Sequence, residues 1–343
     1  MKHLSGRRIM YGLAAPVAAG VIAIAVSSIA LMISDNSPWN AYKEMWAQIN
    51  STASLVAIVN RAVPYYIAGV AVAIGFKMRL FNIGVDGQYL LGAFWGAVFG
   101  FSIGGANLPA PLYVLLIALV SVATGMLWAA IPALLKIGRN VNEVISTIML
   151  NYIAGQIIYY FLRHHFHRGD GLVAQTGRLP ASARIPSLNR LLEVFGVNLP
   201  NNVVLQGFLP VAIAVGIGYH VLLNRSRFGY ELRVSGENPS AARAAGVDPK
   251  RMVLYTFLLS GGIAGLIGLG PLMADPQFGL YGDQFPQSLG FTGLSLALLG
   301  RNHPIGVAFA ALVWATIERA TQRLSFIGIP QEIGTIIQGS FLL

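Results

Sequence analysis

Residues 225–251, RSRFGYELRVSGENPSAARAAGVDPKR, form a polar and basic island between two apolar segments. Within this island, Asn238 can cap a helix, Pro239 suits the first helical position and Gly246 can end the helix. The pattern predicts a short, alanine-rich helix outside the bilayer. Two interpretations stay open at this point: a docking element for a partner protein, or a solvated connection between two membrane helices.

The composition indicates a protein embedded in a membrane. The chain is 55% hydrophobic and only 10% charged, whereas a soluble domain has roughly 25% charged residues. Because the chain has no cysteine, disulfides and thiolate metal sites are excluded. We interpret the net charge of +10 as basic loops that face anionic membrane lipid, and we expect no nucleic acid partner.

The hydrophobic pattern predicts an all-α polytopic protein with a single transmembrane domain over residues 1–343. About ten segments approach the roughly 20 apolar residues that a spanning helix needs, although three of them are short, interrupted or cut off. These segments are 9–33, 53–76, 83–103, 110–135, 143–162, 204–223, 252–273, 287–300, 304–320 and 331–343. The first is interpreted as a signal anchor rather than a cleaved signal peptide.

The placement of Lys and Arg predicts the orientation in the membrane. Most basic residues fall in loops on the same side as the N-terminus, so both chain ends are predicted to be cytoplasmic. The 225–251 loop is then cytoplasmic and the 163–203 loop extracytoplasmic. The second of these loops is also basic, but long loops follow the charge rule less strictly.

Two of the apolar segments are interrupted by glycine. The run FNIGVDGQ at 81–88 opens one of them, and GFTGLS at 290–295 lies inside the other. Paired interrupted helices in two halves of a transporter indicate an internal repeat with a binding site near the middle of the membrane. Glycine-mediated helix packing without a binding site is the alternative.

Catalytic motifs are missing from the sequence. There is no H-E-x-x-H, no G-x-S-x-G and no phosphate-binding loop, so we expect neither an enzyme nor ATP hydrolysis by this chain. The cluster of His164, His165 and His167 could bind a metal weakly. A polar collar at a helix end is the favoured interpretation, and no metal site is expected.

A few polar residues inside the spans are candidates for a solute path, because polar groups in lipid are costly. Arg61 and Asp86 are the leading candidates. Satisfied contacts between helices are the alternative. Asp86 is the one convincing buried carboxylate, whereas ion-driven transporters need such groups as ion sites. The energy for transport is therefore expected to come from outside the chain, through the 225–251 loop.

Three segments carry a resemblance to a known family. They are residues 81–88, the run NEVISTIMLNY at 142–152, and the 236–247 loop together with 290–300. From about residue 55 to its end, the chain resembles the permease subunits of bacterial ABC importers of the ribose and branched-chain amino-acid type. The 142–152 run is the most specific of the three and points to the nucleoside, or simple-sugar, branch.

The resemblance implies several partners. A cytoplasmic ATPase with two nucleotide-binding halves would hold ATP and Mg²⁺, while this chain would hold no cofactor. A second, related permease chain and an extracytoplasmic substrate-binding protein would complete the importer in the bacterial inner membrane. The implied ATPase-coupling residues are Gly236, Glu237, Asn238, Ala241, Ala242, Arg243, Gly246 and Val247.

The resemblance also implies uptake of nucleosides by alternating access. A nucleoside is neutral, with a flat base and a polar ribose, so amides, hydroxyls and aromatic faces suit its path. The predicted path residues are Asn60, Arg61, Tyr65, Asn82, Asp86, Gln88, Asn151, Tyr152 and Phe291. The alternatives are a permease for ribose or another neutral sugar and, from a different class, an ion-coupled secondary transporter.

Overall fold

The computed structural model describes residues 6–106, 108–167, 173–275 and 279–340, which are mostly helical and contain no strand. An isolated antiparallel bridge between Gln175 and Gly282 is the one β-type pairing in these ranges. The helices are α1 Gly6–Ile33, α2 Pro38–Ile49, α3 Thr52–Lys77, α4 Val85–Ser102, α5 Ala110–Arg139, α6 Glu143–His164, α7 Asn189–Val194, α8 Leu209–Arg225, α9 Arg227–Glu237, α10 Pro239–Ala244, α11 Pro249–Ile267, α12 Leu289–Leu299, α13 Pro304–Thr321 and α14 Gln331–Ser340. A π-helical turn, Gly270–Ala274, follows α11.

Among the described residues, four helices are long and apolar enough to cross a membrane. They are α3, α5, α6 and the segment Pro249–Ala274 that joins α11 to its π-helical turn. Gly20–Ile33 and Pro38–Ile49 meet this criterion only as a pair, and the pair is bent by 117°. The all-α membrane class is therefore confirmed, whereas ten spans and two cytoplasmic ends stay predictions.

Two predicted segments extend past the described residues. The segment 331–343 is helical to Ser340, and residues 341–343 lie outside the described ranges. The 163–203 loop contains α7 and a short 3-10 turn at Ala181–Ala183, and its residues 168–172 lie outside the described ranges. The single domain over 1–343 likewise includes residues that the structure does not describe.

The chain divides into two compact units. In the larger one, Asn60–Ala311, α5 packs along α11, α4 packs against both of them, and α6 packs against α4. The smaller unit combines Met1–Val59 with Leu312–Leu343, and within it α1 packs against α14. Its apolar core includes Leu31, Ile317, Ile333 and Ile337.

Local chemistry explains the sharp corner between α5 and α6. Asn140 ends α5 in the left-handed conformation, with φ of 52°, a conformation that asparagine tolerates better than most residues. The side-chain oxygen of Asn142 then accepts a hydrogen bond from the Val144 amide at 2.8 Å and caps α6. Lys136 and Glu143 form a 2.6 Å ion pair across the corner.

Candidate functional site

The N-termini of α4 and α12 receive no cap from the residues that precede them. Gly84 precedes α4 without a side-chain cap, and Ser288 precedes α12 in the left-handed region without making one. The first N–H groups of a helix have no partner within it, and in a membrane protein they must find one in the protein. α12 has only 11 residues, which is roughly 16 Å at about 1.5 Å per residue. This length is well short of the about 30 Å that a full crossing of the bilayer core requires.

The cap of α4 comes from α6. The side-chain oxygen of Asn151 accepts a hydrogen bond from the Gly87 amide at 2.9 Å, and its nitrogen donates to the Ile83 carbonyl at 2.9 Å. One amide side chain therefore satisfies a donor and an acceptor on either side of the helix start. Asn151 belongs to the NEVISTIMLNY run, so a structural role accompanies that motif.

The cap of α12 comes from α4. The Asp86 carboxylate accepts a hydrogen bond from the Gly290 amide at 3.0 Å. A carboxylate at this place also meets the positive end of the helix dipole. Tyr89, one turn further along α4, donates to the Pro286 carbonyl at 3.0 Å. The N-termini of α4 and α12 are thus joined side by side.

A third group of hydrogen bonds holds the turn before α4. Asn82 and Gln88 exchange two amide hydrogen bonds of 3.0 Å each, and Asn82 also donates to the Ser260 hydroxyl at 2.9 Å. The Ser260 hydroxyl donates to the Ala71 carbonyl at 2.7 Å. All three side chains are buried, so the polar network is enclosed and internally satisfied.

Asn60 makes a similar connection elsewhere. Its side chain donates to the Val204 carbonyl at 2.7 Å and accepts from the Gln206 amide at 2.9 Å, and so ties α3 to the segment before α8. Asn60, Asn82, Asp86, Gln88 and Asn151 all bond to other parts of the chain. This geometry matches the alternative of satisfied helix contacts, and a path-lining role for these five residues stays a prediction.

The remaining predicted path residues differ in exposure. Tyr65 is buried, Arg61 is exposed, and Tyr152 and Phe291 are 74% and 44% exposed. Tyr152 lies on an open face of α6 that borders a groove of about 370 Å³ with Gln156, Tyr160 and neighbouring residues. Aromatic faces and an amide are therefore available on this side of the helix.

The polar island contains two helices. The short helix predicted from Asn238 to Gly246 is confirmed as α10: the Asn238 side chain accepts from the amides of Ser240 and Ala241, each at 3.0 Å, and Gly246 ends the turn with φ of +80°. α9 was not predicted, although Ser226 caps it through the Gly229 amide at 3.1 Å.

The two faces of the 236–247 segment differ. Glu237, Asn238, Ala241 and Arg243 are exposed, whereas Ala242 is fully buried. Gly236 lies against the turn between α3 and α4: a Cβ placed there would meet the Met78 backbone at 2.7 Å. Met78 in turn accepts a hydrogen bond through sulfur from Thr256 at 3.1 Å. No sequence pattern indicated that Gly236 would contact Met78.

The fold is that of a polytopic helical membrane protein: in the described part of the chain, four helices are long and apolar enough to cross a membrane, and an exposed polar helix, α10, lies between apolar helices. The family model described as "Branched-chain amino acid transport system / permease component" matches residues 54–343, and the chain belongs to this family.

Individual relatives narrow the branch. The chain is 33% identical to the glucose ABC transporter permease protein TsgB13 of Haloferax volcanii over 96% of this chain and 85% of that protein. It is 30% identical to the guanosine ABC transporter permease protein NupP of Bacillus subtilis, over 96% and 91% of the two chains. It is 26% identical to the nucleoside ABC transporter permease protein NupB of Lactococcus lactis, over 95% and 88%. The predicted resemblance to ABC permeases of the nucleoside and simple-sugar branch is confirmed.

Proposed function

We propose that this chain is the permease subunit of an ATP-driven importer that takes up nucleosides by alternating access in the bacterial cell membrane. A separate ATPase with two nucleotide-binding halves holds ATP and Mg²⁺ and drives the cycle. A second, related permease chain completes the membrane part, and an extracytoplasmic binding protein delivers the substrate.

The observation that carries this proposal is the form of α10. Its outer face is exposed and its inner face is buried through Ala242, as expected of a helix that docks into a partner while fixed to its own protein. Gly236 rests directly on the Met78 backbone, and Asn82 follows Met78 by four residues. Gly236 lies at the end of α9, directly before α10. A movement of the docked α10 is therefore transmitted through the contact between Gly236 and Met78 to the turn before α4.

The engagement of Asp86 supports an external energy source. An ion-coupled transporter needs a carboxylate that can bind and release its ion. The Gly290 amide of α12 would lose its hydrogen-bond partner if the carboxylate turned toward an ion. This cost favours a permanent capping role for Asp86 and ATP as the energy source.

The nucleoside substrate is supported by the guanosine and nucleoside permeases among the relatives and by the exposed faces of Tyr152 and Phe291. A neutral sugar is the second candidate, because the glucose permease TsgB13 is 33% identical to this chain. Competition decides between them: excess guanosine, uridine, ribose and glucose are tested against uptake of one labelled nucleoside by cells that contain the whole importer. Inhibition by nucleosides alone supports the first candidate, and inhibition by glucose or ribose alone supports the second.

Cross-linking tests the docking role of α10. The chain has no cysteine, so Ala241→Cys introduces a single reactive position on the exposed face. We expect this position to cross-link to the partner ATPase of the proposed importer. Arg227→Cys on α9 is the matched control, because Arg227 is also highly exposed, at 90%, but lies outside α10. Cross-linking of the ATPase to positions 241 and 227 with equal yield would contradict specific docking of α10.

A further inference from the structure

The segment between α6 and α8 contains a hairpin whose base is fixed by three hydrogen bonds. The Leu188 amide donates to the Leu205 carbonyl at 2.9 Å. The Asn189 side chain donates to the Val203 carbonyl at 2.7 Å and accepts from the Leu205 amide at 2.9 Å. These bonds join residues 188–189 to residues 203–205 and form the stem of the hairpin. The residues between them extend from this stem.

The projecting part is apolar and uncovered. Val194 is 81% exposed and Phe195 is 74% exposed, and Leu191 and Val197 beside them are exposed as well. We call these four residues the apolar tip. A group of large apolar side chains on a polar connecting segment marks a surface that contacts something other than water.

The position of the stem identifies the contact. α8 begins at Leu209, four residues after the stem residue Leu205, so the hairpin is attached directly before a short apolar helix that lies in the predicted span 204–223. α8 itself presents Ile213, Ile217 and Val221 as an exposed stripe with helical spacing, as expected of a lipid-facing surface. The apolar tip is thus tethered beside an exposed apolar surface of the kind that faces lipid.

The composition of the tip fits the interfacial region of a bilayer. Aromatic and aliphatic side chains enter the boundary between headgroups and acyl chains, while charged neighbours stay among the headgroups. Arg190 and Glu193 are the exposed charged neighbours on α7. We propose that the apolar tip inserts into the headgroup–acyl boundary of the leaflet from which α8 enters, and that the 189–204 hairpin is a lipid anchor.

Spin labels on single cysteines test this proposal, because the chain has none of its own. Val194→Cys and Phe195→Cys place nitroxides at the tip of the full chain in nanodiscs of phosphatidylcholine and phosphatidylglycerol. Power saturation then compares the accessibility of each label to oxygen, which concentrates in lipid, and to a water-soluble nickel chelate. Asn201→Cys, an exposed polar position on the same hairpin, is the aqueous control, and Leu127→Cys, which is exposed on α5, is the lipid control.

We expect the oxygen-to-nickel accessibility ratio at positions 194 and 195 to be several-fold higher than at 201 and to approach the ratio at 127. Ratios at 194 and 195 equal to the ratio at 201 would overturn the lipid anchor and leave the tip as a surface for a protein partner. The use of two tip positions separates a property of the hairpin from an effect of one label.

Discussion

The carboxylate of Asp86 in α4 lies 3.0 Å from the Gly290 amide and caps the first turn of α12. Gly290 fits this contact closely, because a Cβ at this position would lie 2.6 Å from the Asp86 Cα. Together with the capping of α4 by Asn151, this makes a chain of three helices in which each one supplies the cap of the next. The N-termini of α4 and α12 are therefore capped by side chains that are distant in sequence.

Replacement of Asp86 distinguishes a cap from an ion site. Asp86→Asn keeps an oxygen that can accept from the Gly290 amide, so we expect most of the uptake to remain and its dependence on pH to be unchanged. Asp86→Ala leaves the buried Gly290 amide without its partner, which costs about 1–3 kcal/mol, and is expected to lower both thermal stability and uptake. The two variants are compared by melting temperature and by initial rates of uptake across pH. Equal loss of uptake in both, with normal stability, would indicate ion coupling instead.

Replacement of Asn151 tests the first cap. Asn151→Ala removes two hydrogen bonds at the start of α4 and is expected to cost about 2–6 kcal/mol, since each unsatisfied buried group costs about 1–3 kcal/mol. Asn151→Asp can still accept from the Gly87 amide but cannot donate to the Ile83 carbonyl, so an intermediate loss is expected. Gln156→Ala, at an exposed position on the same helix, is the control. Stability equal to the wild type in Asn151→Ala would refute the cap.

The contact between Gly236 and Met78 predicts a coupling defect. Gly236→Ala places a methyl group against a backbone that cannot move aside, at a cost of about 1–3 kcal/mol. We expect a lower rate of ATP-dependent uptake with normal membrane insertion. Gly218→Ala is the matched control, because a Cβ there meets nothing within 4 Å. Transport at the wild-type rate by both variants would contradict coupling through the contact between Gly236 and Met78.

The exposed ring of Tyr152 predicts a role in passage of the base. Tyr152→Phe keeps the aromatic face and is expected to transport nearly normally, whereas Tyr152→Ala removes a stacking surface, with an expected loss of about 1–3 kcal/mol if the ring stacks on a base. Met149→Ala, on an exposed position one turn away, controls for lost surface area. Uptake of a labelled nucleoside at several concentrations is the measurement. Equal effects at 149 and 152 would remove the stacking role.

Hydropathy and the local signals that begin and end helices were enough to predict the helical class, most helix positions and α10. Asn238, Pro239 and Gly246 act within a few residues of their position, so their roles could be derived from sequence alone. The partners of Asp86 and Asn151 lie 204 and 64 residues away, and no local pattern reveals them. The same polar residues suit a solute path or a buried cap, and only their three-dimensional partners favour the second role. α9 was missed because its mixed polar sequence lacks the apolar length that defined the other segments.

Transport by purified components tests the central claim most directly. Proteoliposomes would contain this chain alone, or together with the proposed partner permease, ATPase and binding protein, and uptake of labelled guanosine would be measured with ATP or a non-hydrolysable analogue. The account predicts uptake only with the complete set and hydrolysable ATP. Uptake by the chain alone that collapses with the proton or sodium gradient would contradict the account and establish a secondary transporter.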